Sequence, residues 1–251
     1  MESILIKIAG EVGERLIPQV LKVASRVFHN RFRRGIASLR GFEDGQTSIV
    51  LSSLYPTSLV NTTFKPIEAI SRTQVRGISV LAPVPFTGIR DSFGLARLTA
   101  ELVKSEIDFE LRIDPISDQE KANSNLILLG SPTSNLVARE FYHRYLPPTA
   151  RFSYDTQYAQ MMYDRTPYQG GDFGVALKYR NPWNEERQLL WLAGLGPAGT
   201  EASALFVIQE FDTQAVPQEI QRNPYWITII QAQITDDYVT GANFRGGRRL
   251  V

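Results

Sequence analysis

Asn125-Leu-Ile-Leu-Leu-Gly130-Ser-Pro-Thr-Ser-Asn135, running on into Leu136-Val-Ala-Arg-Glu-Phe-Tyr142, reads as a short apolar strand, a glycine-bearing turn and a fresh helix. A second stretch repeats that order: Gln188-Leu-Leu-Trp-Leu-Ala-Gly194-Leu-Gly196-Pro-Ala-Gly199-Thr200, then Glu201-Ala-Ser-Ala-Leu-Phe-Val-Ile208. Strand, turn and helix start in this sequence build a ligand crevice at the carboxyl edge of an open α/β sheet. Backbone N–H groups and the positive end of the helix dipole would face into it.

Outward from these loops, strands are expected at 47–53, 77–83, 107–113, 173–179, 189–193 and 225–235. Helices are expected near 92–104, from 136 to about 145, and from Gly199 to Phe211. Strands alternating with such helices imply βαβ units. The expected fold is therefore a Rossmann-like, three-layer α/β domain over 45–251 with a mostly parallel sheet. The tyrosine-rich stretch 150–172 reads as a long loop with short strands, and 241–249 as a mobile tail.

Residues 1–44 read as a separate basic amphipathic helical arm. Leu5, Ile8, Val12, Leu16, Val20, Val23 and Val27 recur at helical spacing, interrupted by Gly10, Gly13 and Pro18. Residues 1–40 carry eight Lys/Arg against three Glu, although the whole chain has a formal charge of only +1. The arm is expected either to pack with a solvated basic face or to mediate self-association or docking on an acidic protein partner or a membrane surface. The near-neutral total gives no general argument for nucleic acid.

The remaining composition narrows the chemistry. There is no cysteine, and His29 and His143 are the two histidines in 251 residues, so no thiolate site or multi-histidine metal centre is expected. No apolar run has the length of a membrane span, and Glu2 breaks the start of any leader-like segment. The expectation is a cytoplasmic protein without a transmembrane segment.

Three strand-to-helix junctions supply the candidate ligand-binding residues. Arg90 and Asp91 precede the first helix, where Arg90 would pair with a phosphate and Asp91 or Ser92 would cap. Gly130, Ser131, Thr133, Ser134 and Asn135 offer more polar groups than a cap requires. Gly194, Gly196, Gly199 and Thr200 allow close backbone approach. Arg180 adds a cation, and Trp183 beside it offers a stacking surface. The second loop lacks the lysine of a phosphate-binding P-loop, and Pro197 stands where a dinucleotide-binding helix would begin. No nucleophile elbow is present. Neither a catalytic set nor a cofactor is assigned.

The three segments Asn125–Asn135, Phe173-Gly-Val-Ala176 with Asn181-Pro-Trp-Asn184, and Leu192–Thr200 together resemble a Rossmann-like module of bacterial regulatory and defence-associated proteins. In that module the first loop reads Gly-Gly-Pro-x-x-Asn and the later one Ala-Gly followed by Gly-Thr. Here Ser131 stands at the second glycine. The resemblance covers roughly 75–240 and implies a nucleotide-sensing type of domain. The leading expectation is a non-catalytic module that binds a small anion or nucleotide. Two alternatives stand beside it: an enzyme on a nucleotide or glycosidic substrate using Asp91 or Glu201 as acid and base, and an assembly subunit without a small ligand.

Overall fold

Asn125–Leu129, Thr47–Leu51 and most of Gln188–Gly194 are buried on both faces. Such continuous apolar runs suit the interior of a sheet covered on two sides. The computed structural model describes residues 37–52, 74–75, 78–79, 89–155, 160–213 and 215–251, with 74–75, 78–79 and 89–91 as backbone alone. Its strands are β1 (Thr47–Leu51), β2 (Gln74–Val75), β3 (Ile78–Ser79), β4 (Phe109–Ile113), β5 (Asn125–Leu129), β6 (Phe152–Asp155), β7 (Gln160–Tyr163), β8 (Thr166–Gln169), β9 (Phe173–Arg180), β10 (Gln188–Gly194), β11 (Trp226–Thr235) and β12 (Tyr238–Arg249). The helices are α1 (Ile89–Lys104), α2 (Asp118–Asn123), α3 (Leu136–Arg144), α4 (Pro197–Leu205) and α5 (Gln218–Gln221).

Seven strands form one sheet in the order β12-β11-β9-β10-β5-β1-β4. The four from β10 to β4 are parallel, whereas β9, β11 and β12 join by antiparallel pairing. Strands β6, β7 and β8 make a separate antiparallel sheet, and β2 with β3 a short ribbon. The mostly parallel Rossmann-like expectation is thus overturned: the main sheet is mixed. The reason lies in the connections. The seven residues 181–187 between β9 and β10 are too few for a parallel crossover, which needs a dozen or more. Asp236 and Asp237, at φ of 50° and 65°, close the two-residue turn between β11 and β12. The expected mobile tail 241–249 is consequently part of a twelve-residue edge strand.

The sheet's alternation splits the core into two layers. Ile127, Leu129, Leu190 and Leu192 pack with Leu98 and Leu102 of α1 and with α4. Leu126, Leu128, Leu189 and Trp191 pack on the other face with Val137 and Phe141 of α3 and with Phe152, Tyr154 and Met161 of the small sheet. The stretch 150–172, expected as a long loop with short strands, holds three strands, β6, β7 and β8, and supplies part of a core layer.

Helix α4 lies almost against the backbone of the sheet. A Cβ on Gly199 would collide with the Phe173 carbonyl, and one on Gly174 with Gly199 and Ser203. The Ser203 hydroxyl bonds the carbonyls of both Ala193 (3.0 Å) and Gly199 (2.8 Å). Beyond Leu205 the helix widens into a π turn over Phe206–Glu210, and Ser38 donates its hydroxyl to Val207 O.

Of the expected arm, residues 1–36 lie outside the described residues. Residues 37–44 belong to the folded body, since Leu39 and Phe42 are buried in the helical layer. They also cover Lys178, whose Nζ donates to Arg40 O and lies 5.7 Å from the centre of the Phe42 ring. Burial pulls this lysine from 10.5 down to about 8.

Two outcomes follow from this packing. Gly199→Ala should cost about 3 kcal/mol in chemical denaturation, because neither backbone at the contact can yield without the other. Between pH 8 and 10.5 the unfolded chain holds the Lys178 proton and the folded chain does not, so stability should rise with pH across that window. Denaturation midpoints of Lys178→Met should lack that rise.

Candidate functional site

Helices α3 and α4 follow the adjacent parallel strands β5 and β10 but lie on opposite faces of the sheet. Their divergence makes a topological switch point, where open α/β sheets leave a crevice. The two glycine loops meet there, joined by the Gly130 N–H to Leu192 O bond (2.9 Å). The two loops from which a crevice was expected thus lie side by side, in a sheet that is mixed.

Gly130 has φ of 119°, a left-handed conformation suited to glycine. A Cβ there would stand 3.1 Å from Ser134 Oγ and 3.2 Å from Ser52 Cβ. Ser131 Oγ shares hydrogen bonds with Thr133 Oγ1 (2.5 Å) and Ser134 Oγ (3.3 Å). The Tyr154 hydroxyl donates to Gly194 O (3.1 Å) and has the Ser131 hydroxyl beside it; burial pushes its pKa up. Five hydroxyls therefore gather at the carboxyl ends of β1, β5 and β10. One of them, Ser52 Oγ, is buried and has no hydrogen-bond partner among the described residues. Buried hydroxyls are ordinarily bonded, and an orphan calls for an explanation.

The helix amides, in contrast, are largely occupied. Asp114 Oδ2 accepts from Leu136 N (2.6 Å), its Oδ1 accepts from Val137 N (3.3 Å), and Asn135 Oδ1 accepts from Ala138 N (2.9 Å). Asn135 is a fully buried cap whose Nδ2 also holds Val50 O and Leu129 O. Asp114 is a built-in anion at the place a phosphate would take. Its burial raises its pKa, while the two N–H groups and the positive charges of Arg139 and Lys121 pull the other way. At the second loop, Gly199 N donates to Gly171 O (3.1 Å) and Thr200 N to Gly196 O (3.2 Å). Gly194, Gly196 and Gly199 thus serve the seating of α4 on β9 and β10, and Gly196 has no space for a Cβ, which would meet Gly171 at 2.8 Å.

The other candidates are dispersed. Arg90 and Asp91 lie in the first turn of α1, and their side chains are outside the described residues. Arg180 pairs with Gln188 in register, at the far end of β10 from Gly194. That separates it from the crevice by a strand length, about 20 Å. It pairs with Glu185 at 3.4 Å and lies 5.6 Å from the Tyr179 and Tyr225 ring centres. Trp183 sits at the same far end, 4.9 Å from Lys121 Nζ. Glu201 is buried where α4 meets α1, with Arg97 3.7 Å away. Neither protein-family models nor curated proteins match this chain.

Neither Ser52 nor Asp114 is among the candidates read from the sequence, which offers Tyr154 only with Tyr158, Tyr163 and Tyr168 as a lid or as packing. Asp114 had a legible signal, as an acid ending an alternating strand. Ser52 had none, and only the folded sheet brings it and Tyr154 to Gly130.

Asp114→Ala should lose about 2 kcal/mol by calorimetry, since the buried Val137 N–H and the part-buried Leu136 N–H would lose their charged acceptor. Asp114→Asn retains one acceptor oxygen and should lose less.

Proposed function

We propose that this chain is a ligand-binding regulatory module whose crevice takes a small hydroxyl-rich molecule of the nucleoside or nucleotide type. The observation that carries the reading is the cluster of Ser52, Ser131, Thr133, Ser134 and Tyr154 around Gly130, with Ser52 Oγ buried and unbonded among the described residues. Hydroxyls both donate and accept, so they suit a sugar or a base edge. Asp114 and the loop carbonyls already hold the helix amides. Recognition accordingly falls on the nucleoside part, and a phosphate lies toward solvent.

Two further points favour a binding role. The loops resemble those of the regulatory and defence-associated module, apart from Ser131 at the second glycine. The enzyme alternative gains little, because Glu201 is held between two helices by Arg97 and the Asp91 side chain is not described.

A thermal-shift series with the four ribonucleosides, their 5′-monophosphates and inorganic phosphate tests the reading. At least one nucleoside should stabilise the protein by RT ln(1 + [L]/Kd), about 2.7 kcal/mol at a hundredfold excess over Kd. Its monophosphate should do so equally, and inorganic phosphate should not. Ser52→Ala and Thr133→Val should weaken that gain. Stabilisation by phosphate alone, or a nucleoside response unchanged in both variants, would overturn the assignment.

A further inference from the structure

A cavity away from the two glycine loops opens where the end of α3 meets the small sheet. Its volume is about 800 Å³, within the range of small-ligand sites. Tyr142, Leu146 and Met162 supply much of its apolar lining, while His143, Arg151 and Arg165 bring basic groups to its walls. Asp164 is the acidic residue of the lining, and it is engaged twice, by Arg151 at 3.0 Å and Arg248 at 2.9 Å.

Arg165 is different. It makes no hydrogen bond or salt bridge among the described residues, and it adds to the positive field around Asp164. It also occupies a left-handed backbone position, with φ of 71°, next to Asp164 at 47°. These two residues close the turn between β7 and β8, where glycine or asparagine is the favoured occupant. The chain thus keeps a long cationic side chain at a position that favours glycine or asparagine, and strain of this kind concentrates at functional sites. The last turn of α3 carries the negative end of its helix dipole. An anion in the cavity is therefore directed away from Tyr142 and toward Arg165.

We infer that this cavity binds an amphipathic monoanion, a carboxylate on an apolar aryl or alkyl body. The apolar body lies against Tyr142, Leu146 and Met162, and the carboxylate takes a charge-assisted bond from the Arg165 guanidinium.

Calorimetric titration of the full chain tests this with 1-naphthoate and octanoate, using acetate and 1-naphthylmethanol as controls. At least one of the first two should bind at a single site, and both controls should bind at least about tenfold more weakly, because each lacks the body or the charge. Proton NMR gives a local reading: of the two histidine ring signals, the one absent from His143→Gln should move on titration. Arg165→Gly should weaken binding about tenfold while leaving Tm unchanged or higher, since it removes the strain together with the charge. Arg165→Gln, which keeps the stem, should weaken binding equally. Absence of binding by both carboxylates, equal binding of the uncharged alcohol, or full affinity in Arg165→Gln would overturn the proposal.

Discussion

The close seating of α4 on β9 and β10 is the constraint around which the rest is arranged. Gly174, Gly194 and Gly199 let helix and strand backbones touch, and Ser203 ties the helix to the Ala193 carbonyl. That contact sets where the second glycine loop ends, and so fixes one wall of the crevice. The Gly199 and Thr200 amides are taken as well, by the Gly171 and Gly196 carbonyls. A loop built to bring backbones together has little left with which to hold a phosphate. Glycine here serves packing, although its spacing is the same that a phosphate site would show.

The first loop solves the equivalent problem with side chains. Helix α3 begins with three N–H groups that need partners, and Asp114 and Asn135 provide them internally. Because the helix end is already neutralised, the polarity left over is that of hydroxyls. Their grouping around Gly130 depends on its positive φ, which turns the chain sharply and brings Ser131 and Ser134 beside the end of β1. The electrostatic character of the crevice thus follows from one buried carboxylate contributed by the end of β4.

At the opposite end of the sheet the structure serves anchoring. Asn181 bonds Lys121 O and Ser124 O and receives the Trp183 amide, so the β9–β10 turn is fastened to α2. Lys121 is in turn paired with Asp118 and Glu140. Lys178, buried under Phe42, fastens residues 40–42 to the middle of the sheet. Arg180 and Trp183, which invite a ligand reading in the sequence, take part in this anchoring layer because strand register puts them there.

Local pattern alone determined the strand, turn and helix at Gly130 and at Gly194, the existence of β4 and β11, and that one of Ser131, Thr133, Ser134 and Asn135 caps a helix. Each depends on residues within one turn or one strand of itself. The structure shows the cap to be Asn135 and shows neither strand alternating in burial. The Asn181-Pro-Trp-Asn184 stretch reads as a turn by its residues, and its brevity dictates the antiparallel β9–β10 hairpin that breaks the expected mostly parallel sheet. Tertiary structure alone decided the rest. Strand order placed Ser52, Gly130 and Gly194 side by side, and register sent Arg180 to the far edge. Packing on α3 and Trp191 turned the tyrosine-rich stretch into a core sheet. Those outcomes rest on contacts between residues tens of positions apart, whose energies no local window contains.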